Sequence, residues 1–303
     1  MNVTLLSTTP EALNVLLFTK QTRLTPSPGL MDEIRGWSEE RKMRELNYML
    51  GTIESSWEFV DYTFLISDVS RAFTHQLVRS RHASFAQQSQ RSVDMSGFQY
   101  IRPNALMREG IPNPILTEEI FDLKTPLIWS DDPTDIYDDA MDLVNMAYQG
   151  LIDKGVNPQD ARGVLPTNIA TNIIMKANLR TLSEMARLRL CTRTQGEYQD
   201  VFRAMRKAII EVHPWAEPFL RVACAADGVC QFPNYMECPI KGPIFNPDTG
   251  QRWDGAVYNV EKDATRSVAV PQQPATREQI QRAWEQVRFE AVPLKRKEKA
   301  NHG

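Results

Sequence analysis

The chain has 303 residues, 42% of them apolar and 24% charged, with a net charge of −3. That supplies enough core for one large domain, or a domain with an appendage, and its acidic balance argues against a general nucleic-acid binder. No apolar run approaches the ~20 residues that span a bilayer, and the N-terminus lacks a charged start before a long apolar core, so a cytoplasmic protein is expected, with neither membrane nor nucleic acid as partner.

In chain order, residues 31–50 predict one amphipathic helix marked by Ile34, Trp37, Leu46 and Leu50 and stopped at Gly51. Residues 57–67 alternate through Val60, Tyr62, Phe64 and Ile66, the pattern of a strand. Asp68 is expected to cap a helix through residue 81, followed by a loop over 82–92. Residues 97–103 are a second candidate strand, ended by Pro103. The acidic run from Asp131 to Asp142 reads as a solvated loop and helix face. Its helix should reach Lys154 and stop at Gly155, and Asn157-Pro158 reads as a cap followed by a proline in the first turn. From Asn178 to Val212 one long helix is expected, with Gly196 its weak point and Pro214 its end. Residues 231–275 read as an irregular extension. Thr276 with Gln279 resembles a capping box for a last helix through Phe289, ahead of a basic tail. The division expected is 1–223 as the catalytic domain and 224–303 as a Cys- and Pro-containing extension.

Charge is gathered unevenly. Arg71, Arg79, Arg81 and Arg91 fall in a segment without one acid, mixed with Gln76, Ser84, Gln87, Gln88, Ser89 and Gln90. Guanidinium forks suit phosphate oxygens, and amides and hydroxyls read the polar edge of a base. A second cluster, Arg162, Lys176, Arg180, Arg187, Arg189 and Arg193, has Glu184 as its one acid. Taken alone it reads as surface salt bridges; taken with the first, the two could converge on one polyanionic ligand, or on two. The chain has no GxGxxG, P-loop, HExxH, paired CxxC or GxSxG. An enzyme built on Arg, Gln and Ser would need a cofactor for difficult bond chemistry. Cys191 reads as a small buried hydrophobe within a helix. Cys224, Cys230 and Cys238 lack the tight pairs of structural zinc, although His213 could serve as a fourth ligand, and no metal is expected. His75 and His82 read as structural or solvent-facing groups, and Trp215 and Phe219 as core.

Residues 79–91, RSRHASFAQQSQR, resemble the signature of the flavin-dependent thymidylate synthases: Arg79, Ser80 and Arg81, then Ser89 and Arg91, preceded by Gln76. DARGVLPTNI (160–169) and the stretch from Asn178 through Arg180 and Arg189 to Gln195 and Glu197 are similar to two further family segments, and ESSWEF (54–59) to a fourth. Together they cover roughly residues 10–220. The resemblance implies a mixed α/β (α+β) fold with long helices, assembled as a homotetramer with FAD and dUMP at its subunit interfaces. It implies reductive methylation of dUMP to dTMP, with NADPH and methylenetetrahydrofolate as co-substrates and no attacking cysteine. By position, Thr22, Ser55, Glu58, Arg79, Ser80, Arg81, Asn178, Arg180, Glu184 and Arg193 would face FAD. Gln76, Gln87, Ser89, Gln90, Arg91, Arg162 and Arg189 would hold the nucleotide, with Arg91 and Arg162 at its phosphate. Arg189, at the pyrimidine edge, and Ser89 would be the catalytic pair.

Four positions depart from the family pattern. Ser80, Ile53 and Arg193 stand where the family has histidines, and Gln87 where it has a glutamate. They leave open a related flavin-dependent modification, hydroxymethylation or methylation of another pyrimidine nucleotide such as dCMP. The reading from a different class is a non-catalytic RNA or protein interaction module built on the Arg/Ser/Gln loop and the basic tail.

Overall fold

A computed structural model describes residues 1–24, 27–103, 106, 132–227, 232 and 238. Its centre is a four-stranded sheet of β1 (Asn2–Thr8), β2 (Asp61–Ser70), β3 (Ala83–Gln87) and β4 (Ala170–Asn178) in the order β1-β2-β4-β3, every neighbour antiparallel. Tyr62, Phe64 and Ile66 of β2 alternate inward, as do Ile173, Met175 and Ala177 of β4, which buries one face against helices. The expected mixed α/β architecture is present.

Three helices precede β2: α1 (Ala12–Gln21), α2 (Leu30–Arg35) and α3 (Glu39–Leu50). The single helix expected over 31–50 is two, because Gly36 ends α2 and Ser38 caps α3 by accepting from the Arg41 amide at 3.2 Å. Residues 57–59 belong to a 3-10 turn, Glu54–Phe59, rather than to the strand.

The cap of α4 (Arg71–Leu77) is Ser70, not Asp68, and accepts from the Phe73 amide at 2.9 Å. Asp68 has φ 55° inside an irregularity of the β2–β4 register between Ile66 and Val69, so β2 runs on to Ser70. The expected 82–92 loop begins as β3, where Phe85 pairs with Met175. Residues 97–103 make one bridge, Tyr100 with Ile169, along the start of β4 that β3 leaves unpaired.

A second small core joins Met95, Phe98, Tyr148, Ala161 and Ile169 beneath α5 (Pro133–Asp153). The acidic run is not wholly solvated. Asp138 accepts from Arg102 Nη2 at 2.6 Å and from the Tyr100 hydroxyl at 3.0 Å, and both charged side chains are largely buried. Burial lifts the Asp142 carboxyl above its usual range. Gly155, at φ 81°, closes α5: its amide reaches Ile152 O and that of Val156 reaches Leu151 O, and an L side chain would be strained there. Asn157 caps α6 (Pro158–Ala161), with Pro158 in its first turn.

The long helix expected from Asn178 is β4's last residue, then α7 (Leu179–Arg189), a turn and α8 (Gly196–Val212). Gln199 Nε2 donates to Leu190 O at 3.2 Å and Cys191 O at 2.8 Å, which satisfies carbonyls that α7 leaves open at the break. Cys191 therefore lies in a half-buried turn, not inside a helix. A 3-10 turn (Pro214–Phe219) and α9 (Ala223–Asp227) come next, with Phe219 buried and Trp215 packed on the core as expected. The expected last helix, the basic tail and Cys230 lie outside the described residues.

His213 Nδ1 is 3.0 Å from the Tyr62 hydroxyl, and burial lowers its pKa. A neutral imidazole in the fold that titrates normally when unfolded contributes stability that is full above about pH 6.5. That stability is lost as pH falls through 6.5 toward the depressed folded value. Thermal melts between pH 7.5 and 5 should show Tm dropping below pH 6.5. The drop should be shallower in His213→Gln, which does not titrate.

Candidate functional site

The residues that the resemblance gives to flavin meet around the N-terminus of α7. Asn178 caps that helix, accepting from the Thr181 amide at 2.9 Å. The Leu179 amide donates to Val60 O at 2.7 Å and so ties the helix start to the Glu54–Phe59 turn. Glu58 of that turn accepts from Arg180 Nη1 at 2.6 Å, while Arg180 Nε reaches Glu184 at 3.3 Å. Both bonds hold the Arg180 guanidinium above its usual pKa range, Glu58 most strongly. Ser55, on the same turn, accepts from Arg23 Nη2 at 2.7 Å. Beside Arg23, the Thr22 hydroxyl donates back into α1 at Phe18 O. On the other flank, Ala83 pairs with Ala177, and the Thr181 hydroxyl donates to His82 O at 3.4 Å. The turn carrying Arg79, Ser80 and Arg81 therefore sits against this same helix end. The Arg193 guanidinium lies 4.4 Å from the Phe232 ring.

The nucleotide set divides between the two ends of α4. At its start, Arg71 Nη1 reaches Gln88 O at 3.5 Å, and Gln88 Oε1 accepts from the Asn172 side chain at 3.2 Å. Burial lowers the pKa of Arg71, and the charge of Arg162 lowers it further, so two guanidiniums stand close together. Arg162 donates through Nε to Gln159 O at 3.0 Å. Gln87 Nε2 donates to the buried Thr74 hydroxyl at 2.8 Å. The Ser89 hydroxyl accepts from the Arg91 amide at 3.2 Å in an exposed turn, with Gln90 between them. In the last turn of α4, Gln76 Nε2 donates to Gln195 at 2.9 Å; the Arg189 guanidinium lies 4.4 Å from the centroid of the Tyr198 ring, which packs on Phe73 in the first turn of α4.

Arg71, Arg79, Arg81, Arg91, Arg162 and Arg189 form no ion pair among the described residues. Guanidiniums with no carboxylate partner leave their donors open to phosphate oxygens. Other cations behave differently: Arg187 is paired with Asp227 and Lys176 with Asp61. That part of the second cluster is a set of ordinary salt bridges. Ile53 packs at the edge of the core. His75 and His82 are exposed. Cys238 Sγ accepts from the Thr192 hydroxyl, and no three potential metal ligands group together among the described residues.

Three participants have no site role in the sequence reading: Arg71, Glu197 and Tyr198. Glu197 Oε1 accepts from the Ser70 amide at 2.6 Å, and Oε2 from the Ser70 hydroxyl at 2.5 Å. One carboxylate so fastens the start of α8 to the cap of α4. Bonds to a charged acceptor contribute ~1.5–3 kcal/mol each. Glu197→Ala should therefore cost about 3 kcal/mol and lower Tm by roughly 6–12 °C. Calorimetry checks this, and a loss of less than about 2 °C would show that water replaces the carboxylate without penalty.

A family model described as thymidylate synthase complementing protein matches residues 4–215. The flavin-dependent thymidylate synthase of Clostridium tetani is 33% identical over 221 residues, which cover 71% of this chain and 84% of that protein. That of Nitratidesulfovibrio vulgaris is 36% identical over 173 residues, 57% of this chain and 65% of that protein. Among solved structures, a UMP/dUMP methylase from Streptomyces cacaoi, bound with 5-Br dUMP, has a similar fold. Its TM-score is 0.55 at 20% identity, over 72% of this chain and 93% of that one.

Proposed function

Because this chain belongs to the flavin-dependent thymidylate synthase family, we propose that it is a flavoenzyme that methylates dUMP at C5 to give dTMP. The observation that carries the reading is the set of acid-free arginines gathered at the ends of α4 and beside the N-terminus of α7. FAD carries an anionic pyrophosphate, and the donors around α7 fit it. Arg79 and Arg81 are exposed without competing acids, and Arg180 is held in one orientation by Glu58 and Glu184. Thr22, Ser55, Ser80 and Asn178 add neutral hydrogen-bonding groups, and Arg193 a further cation. When bound and reduced by NADPH, FAD supplies the hydride equivalent that completes a methyl group whose carbon comes from methylenetetrahydrofolate.

The protein's own work is binding, orientation and charge stabilisation. Arg91 and Arg162 hold the phosphate, and Gln76, Gln87, Ser89 and Gln90 hold the sugar and base edges. Arg189 donates to the pyrimidine edge, where negative charge develops as C5 becomes nucleophilic. That stabilisation takes the place of an attacking thiol. The assembly we propose is a homotetramer whose neighbouring subunits complete each site. The setting we propose is the cytoplasm; among the described residues no helix is long and apolar enough to cross a membrane.

The test is product mass. Protein supplied with FAD, NADPH and methylenetetrahydrofolate is given dUMP, dCMP and UMP in parallel, and one added methyl on dUMP alone is expected. Turnover of dCMP, or a hydroxymethyl product, would replace the reading with the related modification. Colourless protein that cannot be reconstituted with FAD, yet binds RNA with steep salt dependence, would restore the interaction module.

A further inference from the structure

Tyr198 lies beside Arg189, and the proposed reaction leaves its chemistry unused. Its side chain is fully buried at the start of α8, and its hydroxyl, which makes no hydrogen bond of ordinary geometry among the described residues, lies within reach of Ser80 and Arg189. Buried polar groups are nearly always paired, so a buried phenol set against Ser80 and Arg189 belongs to their surroundings. Its polar neighbours are known. Burial raises the phenol's pKa, and Arg189's charge, with Ser80 beside it, draws it partly back.

Phe73 of α4 meets the Tyr198 ring edge-on at 5.0 Å, with planes 87° apart. The residue before it, Glu197, is bonded to Ser70, and the residue after it, Gln199, to the carbonyls at the end of α7. The face of this fixed ring carries the Arg189 guanidinium at 4.4 Å from its centroid. Arginine over an aromatic face is attracted by the ring's electron density and kept parallel to it. Among the described residues Arg189 forms no ion pair, and the Tyr198 ring is the group its head rests on.

We propose that Tyr198 is a positioning residue: its ring face holds the Arg189 guanidinium in the orientation that receives the pyrimidine. Its hydroxyl faces Ser80, where the family signature carries an imidazole. In this chain, an aromatic group beside the base-binding arginine is supplied from α8 instead of from the turn after α4. The proposal rests on the reading of Arg189 as the pyrimidine-edge donor.

A double-mutant cycle on dUMP affinity tests it, with FAD-reconstituted full-length protein. The variants are Tyr198→Phe, Tyr198→Met, Arg189→Lys and the Met/Lys double. Tyr198→Phe keeps the ring and should bind dUMP within threefold of the wild type. Tyr198→Met fills the volume without a π face and should bind at least tenfold more weakly, with FAD content unchanged. In the Arg189→Lys background the methionine should cost less than twofold more, because the group it orients is gone. Independent, multiplying losses would overturn the proposal, because Tyr198 would then act without Arg189. A tenfold loss in Tyr198→Phe would also overturn it, assigning the effect to the hydroxyl, and this arm remains if the methionine variant does not fold. If the wild type binds FAD but no dUMP, the functional reading itself fails and the proposal with it.

Discussion

Arg189→Ala should lower kcat for dUMP methylation by roughly 10²–10³-fold while leaving FAD content unchanged. The reaction asks for a donor at the pyrimidine edge as charge moves onto the ring. No enzyme thiol activates the base in this reading, so the guanidinium carries more of the stabilisation than a donor that merely assists. It should also be effective from the outset, because α7's last turn and the Tyr198 ring fix it before substrate arrives. FAD should be retained because, at the other end of α7, Arg180 keeps its bonds to Glu58 and Glu184 and Asn178 keeps its cap on the Thr181 amide. Arg189→Lys should recover only part of the loss, since an ammonium neither spans two acceptors nor lies flat on a ring. Turnover with tritiated dUMP and absorbance near 450 nm read the two halves separately. Turnover near the wild-type level would remove Arg189 from the chemistry. Loss of the flavin would mean that the ends of α7 are not independent.

How far the sequence discloses this site depends on the range of each interaction. The arginine clusters and the Asn178 start of α7 are local, and they could be read directly. So could Asn157-Pro158 and Gly155, where a cap and a left-handed residue impose their own geometry. The break between α7 and α8 was not legible, because no proline marks it and Gly196 alone is weak. It is stabilised by Gln199 reaching back to two carbonyls, a contact that exists only once both helices are formed. β4 shows clean period-two alternation from Thr171 to Ala177, a signal present in the chain but masked by the helical pattern that begins at Asn178. Ser70 displaced Asp68 as cap for a tertiary reason. The β2–β4 irregularity puts Asp68 at positive φ, and Glu197, 127 residues away, fixes Ser70. Tertiary packing also hides Tyr198: in sequence it is one more aromatic in a helix, and only the turn that folds α8 back on α7 brings its face to Arg189.

Arg162→Ala should raise the KM for dUMP by roughly 10–100-fold with kcat within about threefold of the wild type, because one charge-assisted phosphate contact contributes ~1.5–3 kcal/mol. A phosphate is remote from C5 and binds alike in ground and transition states, so its loss falls on KM. The sign of the stability change separates this from a structural role. Arg71 and Arg162 repel each other without an acid between them, and Arg71 is partly desolvated as well. Removing one of them relieves that repulsion, so the ligand-free Tm should stay level or rise slightly, most visibly at low ionic strength. Saturating dUMP should stabilise the wild type by several degrees and the variant much less, because the anion that relieves the repulsion also binds only the folded state. If Arg162 were merely holding its turn through Gln159 O, the ligand-free Tm would fall and KM would not move. Thermal melts at about 20 and about 200 mM salt, with and without dUMP, decide between a cation kept for an anionic ligand and one kept for the fold.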